Sequence, residues 1–88
     1  MSALKIVILT QEDCAFCQEA KTLLDRLAVD YPLAISTLSL ESREGQDLAA
    51  RTGVLFPPGI LIGEEVLCYG RPSEKRLRRE FERRRLAR

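Results

Sequence analysis

Hydrophobic positions form two kinds of pattern along this chain, and each pattern predicts a type of secondary structure. Residues 4–10 (LKIVILT) are apolar, rich in β-branched side chains and of strand length. Because this run has little polar alternation, we expect the strand to be buried on both faces. From Cys17 to Tyr31, apolar residues instead recur every three or four positions, which indicates an amphipathic helix that Pro32 stops.

Shorter elements follow this first strand and helix, separated by turn residues. Gly53 stands where a glycine that ends a helix is expected. The predicted elements are a strand (33–38), a loop (39–45), a short helix (about Gln46 to Thr52), a strand within FPPGILI (56–62), a turn (63–65) and a hairpin strand VLCY (66–69).

A last helix closes the chain. Ser73 is a suitable N-cap, and Glu74 places an acid in the first turn. Leu77 and Phe81 are predicted to be buried, with the arginines facing water. The resulting order is βαβαββα, in which the first two strands are parallel with a right-handed crossover and helices cover both faces of one sheet. The sequence therefore predicts one α/β domain over residues 1–88.

Length and composition agree with one water-exposed globular domain. The chain has 88 residues, 45% of them hydrophobic and 31% charged. The apolar stretch from Ile6 to Leu9 is short, and acids follow it at Glu12 and Asp13. We therefore expect no secretory leader, no membrane span or membrane partner, and a cytoplasmic location, where structural disulfides are uncommon.

Charge is distributed unevenly between the two ends of the chain. Residues 1–73 carry a net charge of −4, whereas residues 74–88 carry +5. A basic end of this kind is either a solvated helix face or a docking patch for an acidic partner or nucleic acid. Because no set of aromatic residues for base stacking accompanies it, we favour the solvated face and expect no nucleic-acid partner.

The candidate chemistry lies in LTQEDCAFCQEA, residues 9–20, which contains Cys14 and Cys17. The pair falls where the first strand gives way to the first helix. Unpaired N–H groups and the helix dipole at this point favour a thiolate at Cys14. One helical turn brings Cys17 to the same face, within reach for a disulfide. One sulfur can therefore attack a substrate while the other resolves the product.

Other functions of the pair remain open at this stage. A structural zinc needs four ligands, and the chain has no histidine, although Cys68 and an acid could complete a set. A carrier that holds a metal or cluster, either within one chain or between two chains, is thus an alternative. A redox-inactive binding module of the same fold is another, and plain core packing of the two thiols is a third. We expect Cys68 itself to be an inert, buried thiol.

The order of elements, the cysteine pair and a later proline together resemble the thioredoxin superfamily, with the nearest likeness on the glutaredoxin side. Thr10, Cys14, Phe16 and Cys17 match that family's strand-Thr-Lys-x-x-Cys-Pro-Tyr-Cys signature. GVLFPPGILI resembles its cis-proline segment, and YGRPSEKRLRREF its closing strand, turn and helix. The resemblance covers residues 4–82. It implies a thioredoxin-like fold with a four-stranded mixed sheet flanked by three helices, the third strand being antiparallel to the first.

The resemblance also implies an activity. It implies dithiol–disulfide exchange on protein or small-molecule disulfides, with Cys14 as nucleophile and Cys17 as resolving cysteine. No cofactor would be bound, and the external reductant would be glutathione or a thioredoxin reductase system. The implied partners are a disulfide-containing protein or a small thiol, and we expect a monomer.

Four further residues are candidates for substrate binding. By resemblance, Pro58 is the proline opposite the cysteine pair, the Pro57–Pro58 bond is cis, and Pro57 holds an incoming cysteine peptide. Pro57 has no N–H, so one of two expected backbone hydrogen bonds is missing. Phe16 either shapes the substrate groove or simply packs. Arg71 either anchors a substrate carboxylate or is a solvated turn residue.

The motif departs from the glutaredoxin pattern close to the nucleophile. Gln11 stands where many glutaredoxins have a lysine, and Ala15 replaces the usual proline. Glu12 and Asp13 oppose ionisation of Cys14. Together with the missing N–H at the later proline, these departures predict poor use of glutathione.

Overall fold

The computed structural model describes residues 3–86. Its elements follow the predicted βαβαββα order. Among the described residues, no helix has the length and apolar character needed to cross a bilayer. The elements are β1 (Leu4–Thr10), α1 (Ala15–Leu27), β2 (Leu33–Ser39), α2 (Arg43–Thr52), β3 (Gly59–Ile62), β4 (Glu65–Tyr69) and α3 (Glu74–Leu86).

The four strands form one mixed sheet in the order β2-β1-β3-β4. β1 and β2 are parallel, as predicted for strands joined by a helix. β3 runs antiparallel to β1, with Leu9 opposite Gly59, and β4 pairs back on β3 as a hairpin. A register irregularity between Ile60 and Leu61 interrupts that hairpin. The predicted strand directions are therefore confirmed.

Helices cover both faces of the sheet, so β1 is enclosed. On one face, α1 and α3 pack against Ile6 and Ile8. On the other face, Leu9 packs with Leu48 of α2 and with its neighbours. Since side chains of a strand alternate between faces, burial of these three β1 residues confirms that the strand is buried on both sides.

The end of α1 differs from the prediction. The helix stops at Leu27, and the chain continues to Tyr31 in hydrogen-bonded turns. Tyr31 is nevertheless buried, because its ring lies 5.4 Å from that of Phe81 and its hydroxyl donates to Glu82 at 2.7 Å. This hydrogen bond, with burial, raises the pKa of Tyr31. The apolar periodicity thus continued into a turn that packs against α3, which is why it predicted too long a helix.

The start of α2 also differs from the prediction. Residues 39–45 were expected to form a loop, but the helix begins at Arg43 with Ser42 as its N-cap. The Ser42 hydroxyl accepts the N–H of Gly45 at 3.0 Å and donates to the Ser39 carbonyl at 2.7 Å. Gly45 is therefore a buried helical residue, not a loop glycine. Gly53 ends this helix with φ +82°, as predicted.

Ion pairs join α3 to the start of β4. Arg84 contacts the carboxylates of both Glu65 and Glu80, and Arg83 contacts Glu80 at 2.6 Å. Hydrogen bonds from Arg83 and then Arg84 hold the pKa of Glu80 below its ordinary value. Several arginines predicted only to face water therefore also hold the last helix against the sheet.

Neutralising Glu80 will destabilise the protein at neutral pH but not in acid. A lowered carboxylate pKa contributes stability above the unfolded-state value of about 4.3 and loses it as the pH falls through the folded-state value. We expect Glu80→Gln to cost about 1 kcal/mol at pH 7, measured by urea unfolding, with the gap closing below about pH 4. Glu41→Gln, at an exposed position, is the control. A gap that stays constant down to pH 3 contradicts this account.

Candidate functional site

The cysteine pair lies at the start of α1. Cys14 is the N-cap residue, with φ −112° and ψ 106°, and its sulfur accepts a hydrogen bond from the N–H of Cys17 at 3.2 Å. The two cysteines form a disulfide, and their Cα atoms lie 5.2 Å apart. A sulfur at this position meets unpaired N–H groups and the positive end of the helix dipole, both of which stabilise a thiolate.

The two cysteines differ in their access to solvent. Cys17 is only 4% exposed, because it lies on the inner face of α1. Cys14 is partly exposed at the helix start. A molecule arriving from solvent can therefore contact Cys14 more readily than Cys17.

A tight turn places Cys14 at the helix start. After β1 ends at Thr10, Gln11, Glu12 and Asp13 are exposed, and Asp13 has φ +54°. This left-handed conformation is uncommon outside glycine, although aspartate adopts it more readily than most residues. This turn was not predicted from the sequence, where its only signal is an aspartate directly before the first cysteine.

The proline segment lies at the same end of β1. Because Gly59 pairs with Leu9, Pro58 falls opposite Thr10, where the cysteine loop begins. Pro58 is buried, Pro57 is partly exposed, and the peptide bond between them is cis. The Pro58 carbonyl accepts the N–H of Gly70 at 2.8 Å, which ties this segment to the end of β4.

Exposed apolar side chains flank this segment. Phe56 packs against Tyr69 with ring centroids 5.1 Å apart, yet both rings remain about half exposed. Leu55 is 83% exposed, and Phe16, within the cysteine motif, is 43% exposed. Leu55, Phe56 and Tyr69 were not identified as site candidates from the sequence, although the first two directly precede the double proline. Their exposure and pairing depend on how the β4 end meets the proline loop.

Arg71 shares its surroundings with Tyr69, one of these exposed side chains. It is exposed in the turn after β4 and lines a cleft between β4 and α3, and neither Cys14 nor Cys17 is among the lining residues. No described contact joins Arg71 to the cysteine pair.

Cys68 is a free thiol on β4 and is 6% exposed, as predicted. Its Sγ lies 3.8 Å from the Arg71 carbonyl oxygen, within the distance of a weak hydrogen bond. In the part of the chain that the structure describes, no three side chains of the metal-ligating types are grouped together.

A four-stranded mixed sheet in the order β2-β1-β3-β4, covered on both faces by helices and carrying a Cys-x-x-Cys pair at the start of the first helix, is a thioredoxin-like fold. This confirms the predicted fold class.

Comparisons with known proteins point the same way. The chain is 29% identical to a thioredoxin of Methanocaldococcus jannaschii over 77 residues, covering 88% of this chain and 91% of the relative. A solved structure described as that of a malarial protein superimposes with a TM-score of 0.67 and 19% identity, covering 93% of this chain and 97% of that one, which shows the shared fold. No family model matches the sequence. The relative and the fold support a protein of the thioredoxin superfamily.

Proposed function

We propose that the protein is a thiol–disulfide oxidoreductase in which Cys14 is the nucleophile and Cys17 the resolving cysteine. The observation that carries this proposal is the position of Cys14. Its sulfur caps α1, accepts a backbone N–H and is partly exposed, while its disulfide partner is buried. The thioredoxin relative supports this kind of activity.

The reaction balances over two exchanges. The Cys14 thiolate attacks one sulfur of a substrate disulfide, forms a mixed disulfide and releases the other substrate sulfur as a thiolate that takes up a proton. The Cys17 thiol then loses its proton and attacks the Cys14 sulfur, which releases the second substrate thiol and closes the Cys14–Cys17 disulfide. The substrate gains two electrons and two protons. An external thiol reductant, either glutathione or a reductase-coupled dithiol, restores the cysteine pair.

Substrate is proposed to lie along the proline segment, beside the cysteine loop. Pro57 precedes the buried Pro58 and is partly exposed, so its carbonyl can accept a hydrogen bond from an extended substrate backbone. It has no N–H to donate in return. Phe16, Phe56 and Leu55 offer apolar contacts to a longer chain but little to a small thiol such as glutathione.

We propose a glutaredoxin-like subtype that uses glutathione poorly. One missing backbone hydrogen bond costs about 0.5–1.5 kcal/mol. Gln11 stands in place of a lysine whose charge would meet a glutathione carboxylate. Arg71 lines the cleft between β4 and α3, and neither Cys14 nor Cys17 is among the residues that line this cleft. These losses have the same sign, and together they weaken glutathione binding by roughly 10- to 100-fold. Larger disulfide substrates recover affinity through the exposed apolar side chains.

Glutathione-dependent turnover will therefore be slow while protein disulfides are reduced readily. We expect insulin to be reduced in the presence of dithiothreitol, and a glutathionylated peptide to be released at least ~10-fold more slowly than by a standard glutaredoxin. Pro57→Val restores a backbone N–H and should raise the glutathione rate by roughly 2- to 10-fold, with insulin reduction measured on the same variant as its control.

Two outcomes separate the parts of the proposal. Fast deglutathionylation that saturates at low glutathione contradicts weak glutathione use but leaves the oxidoreductase assignment intact. Failure to reduce either substrate, with both cysteines reduced and the chain folded, contradicts the oxidoreductase itself and favours a binding module.

A further inference from the structure

A basic cleft lies between β4 and the first half of α3. It has a volume of about 550 Å³. Tyr69 and Arg71 line it from the end of β4 and the following turn, and Lys75, Arg76 and Arg79 line it from α3. Among the described residues that line it, none is acidic.

The cations of this cleft differ from the other cations of α3. Arg78 and the arginines at 83–85 each contact a carboxylate. Within residues 3–86, the cations that form no ion pair and line the cleft are Arg71, Lys75, Arg76 and Arg79. The described cations of α3 therefore form two groups, those that contact a carboxylate and those that line the cleft without one.

Acids near the cleft are already engaged elsewhere. Glu74 contacts Arg26 and Arg78, on the side of α3 that faces α1. Glu65 and Glu80 contact the arginines at positions 83 and 84. Four like charges gathered without a counter-charge repel one another, and this repulsion is relieved when an anion binds between them.

One cation of the cleft is held in place before any ligand arrives. The Nε of Arg76 donates to the Leu67 carbonyl at 2.7 Å, and the Arg76 backbone N–H donates to the Ser73 hydroxyl at 3.2 Å. The terminal nitrogens of the guanidinium keep N–H groups for a ligand. Because the side chain is ordered in advance, less conformational entropy is lost on binding.

We propose that this cleft binds a small molecule carrying a phosphate or diphosphate group. Its volume falls in the range of small-molecule sites. Guanidinium groups match phosphate oxygens with paired N–H donors, and four cations match a ligand with two or more negative charges better than a single carboxylate. The partly exposed ring of Tyr69 offers a surface to the organic part of the ligand. Neither Cys14 nor Cys17 lines this cleft, so the proposed phosphate binding can be tested independently of disulfide exchange.

The test is a titration of ¹⁵N-labelled protein with pyrophosphate and, in parallel, with ATP, both without divalent cations and at low salt. We expect the backbone signals of Tyr69, Arg71 and Arg76 to shift, with a dissociation constant below about 1 mM for both probes. The double variant K75Q/R79Q should weaken binding at least ~10-fold. Arg43→Gln, which removes an exposed arginine at the start of α2, should leave binding unchanged.

Three results overturn the proposal. The first is no shift of the cleft signals at several millimolar pyrophosphate. The second is binding that K75Q/R79Q and Arg43→Gln weaken equally, which indicates general charge attraction. The third is tighter binding of citrate, an acidic peptide or a short DNA duplex than of either phosphate probe, which assigns the cleft to a carboxylate ligand or a macromolecular partner.

Discussion

Cys14→Ser will abolish disulfide reduction, whereas Cys17→Ser will stop the reaction halfway. Serine at position 14 provides no thiolate, so the first exchange cannot occur, and we expect insulin reduction to fall by roughly 10³-fold or more. Cys17 is buried and disulfide-bonded to Cys14, and in the proposed mechanism it acts only on the mixed disulfide. Cys17→Ser should therefore form a covalent complex with a protein disulfide and fail to release it.

Mass spectrometry under non-reducing conditions separates these two outcomes. The Cys17→Ser variant should gain the mass of a substrate chain, and dithiothreitol should remove it, while Cys14→Ser should gain none. Cys68→Ala, at the third and buried cysteine, controls for the general loss of a thiol and should retain activity. If Cys14→Ser instead traps substrate, and Cys17→Ser neither traps nor reduces it, the two roles are reversed.

Gly45→Ala will destabilise the protein, although alanine is the better helix former. In an exposed helix interior this change gains about 1 kcal/mol. Here a Cβ atom would overlap the backbone carbonyl of Ser39 and lie 3.1 Å from the Ser42 hydroxyl. The Ser39 carbonyl belongs to the backbone, and the Ser42 hydroxyl is held by two hydrogen bonds, so the N-terminal turn of α2 must move. We expect a net loss of about 2–3 kcal/mol in the free energy of unfolding, measured with urea.

The exposed position Asp47 in the same helix supplies the control. Asp47→Ala changes helix propensity without entering a packed space and should stay within about 0.5 kcal/mol of the unchanged protein. A stability gain for Gly45→Ala would show that helix propensity outweighs the close approach.

Gly45 also illustrates where the sequence was insufficient. A glycine among polar residues is typical of a loop, and the close approach that requires it here appears only once β2 and α2 are placed. The prediction at Tyr31 was wrong in the opposite direction. The first helix was predicted to be too long, because the buried turn residue Tyr31 continued the helical period of apolar positions. β1 and α3 were predicted well, since their apolar positions reflect burial alone.

The candidate functional site was likewise predicted only in part from the sequence. Cys14 at a helix start could be predicted because the strand-to-helix change is local in sequence. The left-handed turn at Asp13 and the pairing of Phe56 with Tyr69 could not, since they depend on how separate segments meet. The split of the α3 cations between carboxylates and a cleft was equally hidden, because their partners lie on other elements as well as on α3.

The hydrogen bond from Arg76 to the Leu67 carbonyl affects the tendency to aggregate as well as ligand binding. β4 is an edge strand, and the free backbone groups of an edge invite pairing with strands of other molecules. The Arg76 guanidinium donates to the carbonyl of one β4 residue, Leu67, and the charged side chains around it discourage the approach of a second chain. At the opposite edge, Ala34, Ser36 and Thr37 of β2 are exposed, and among the described residues no side chain donates a hydrogen bond to their carbonyls. Chain-to-chain strand addition in concentrated solution should therefore begin at β2.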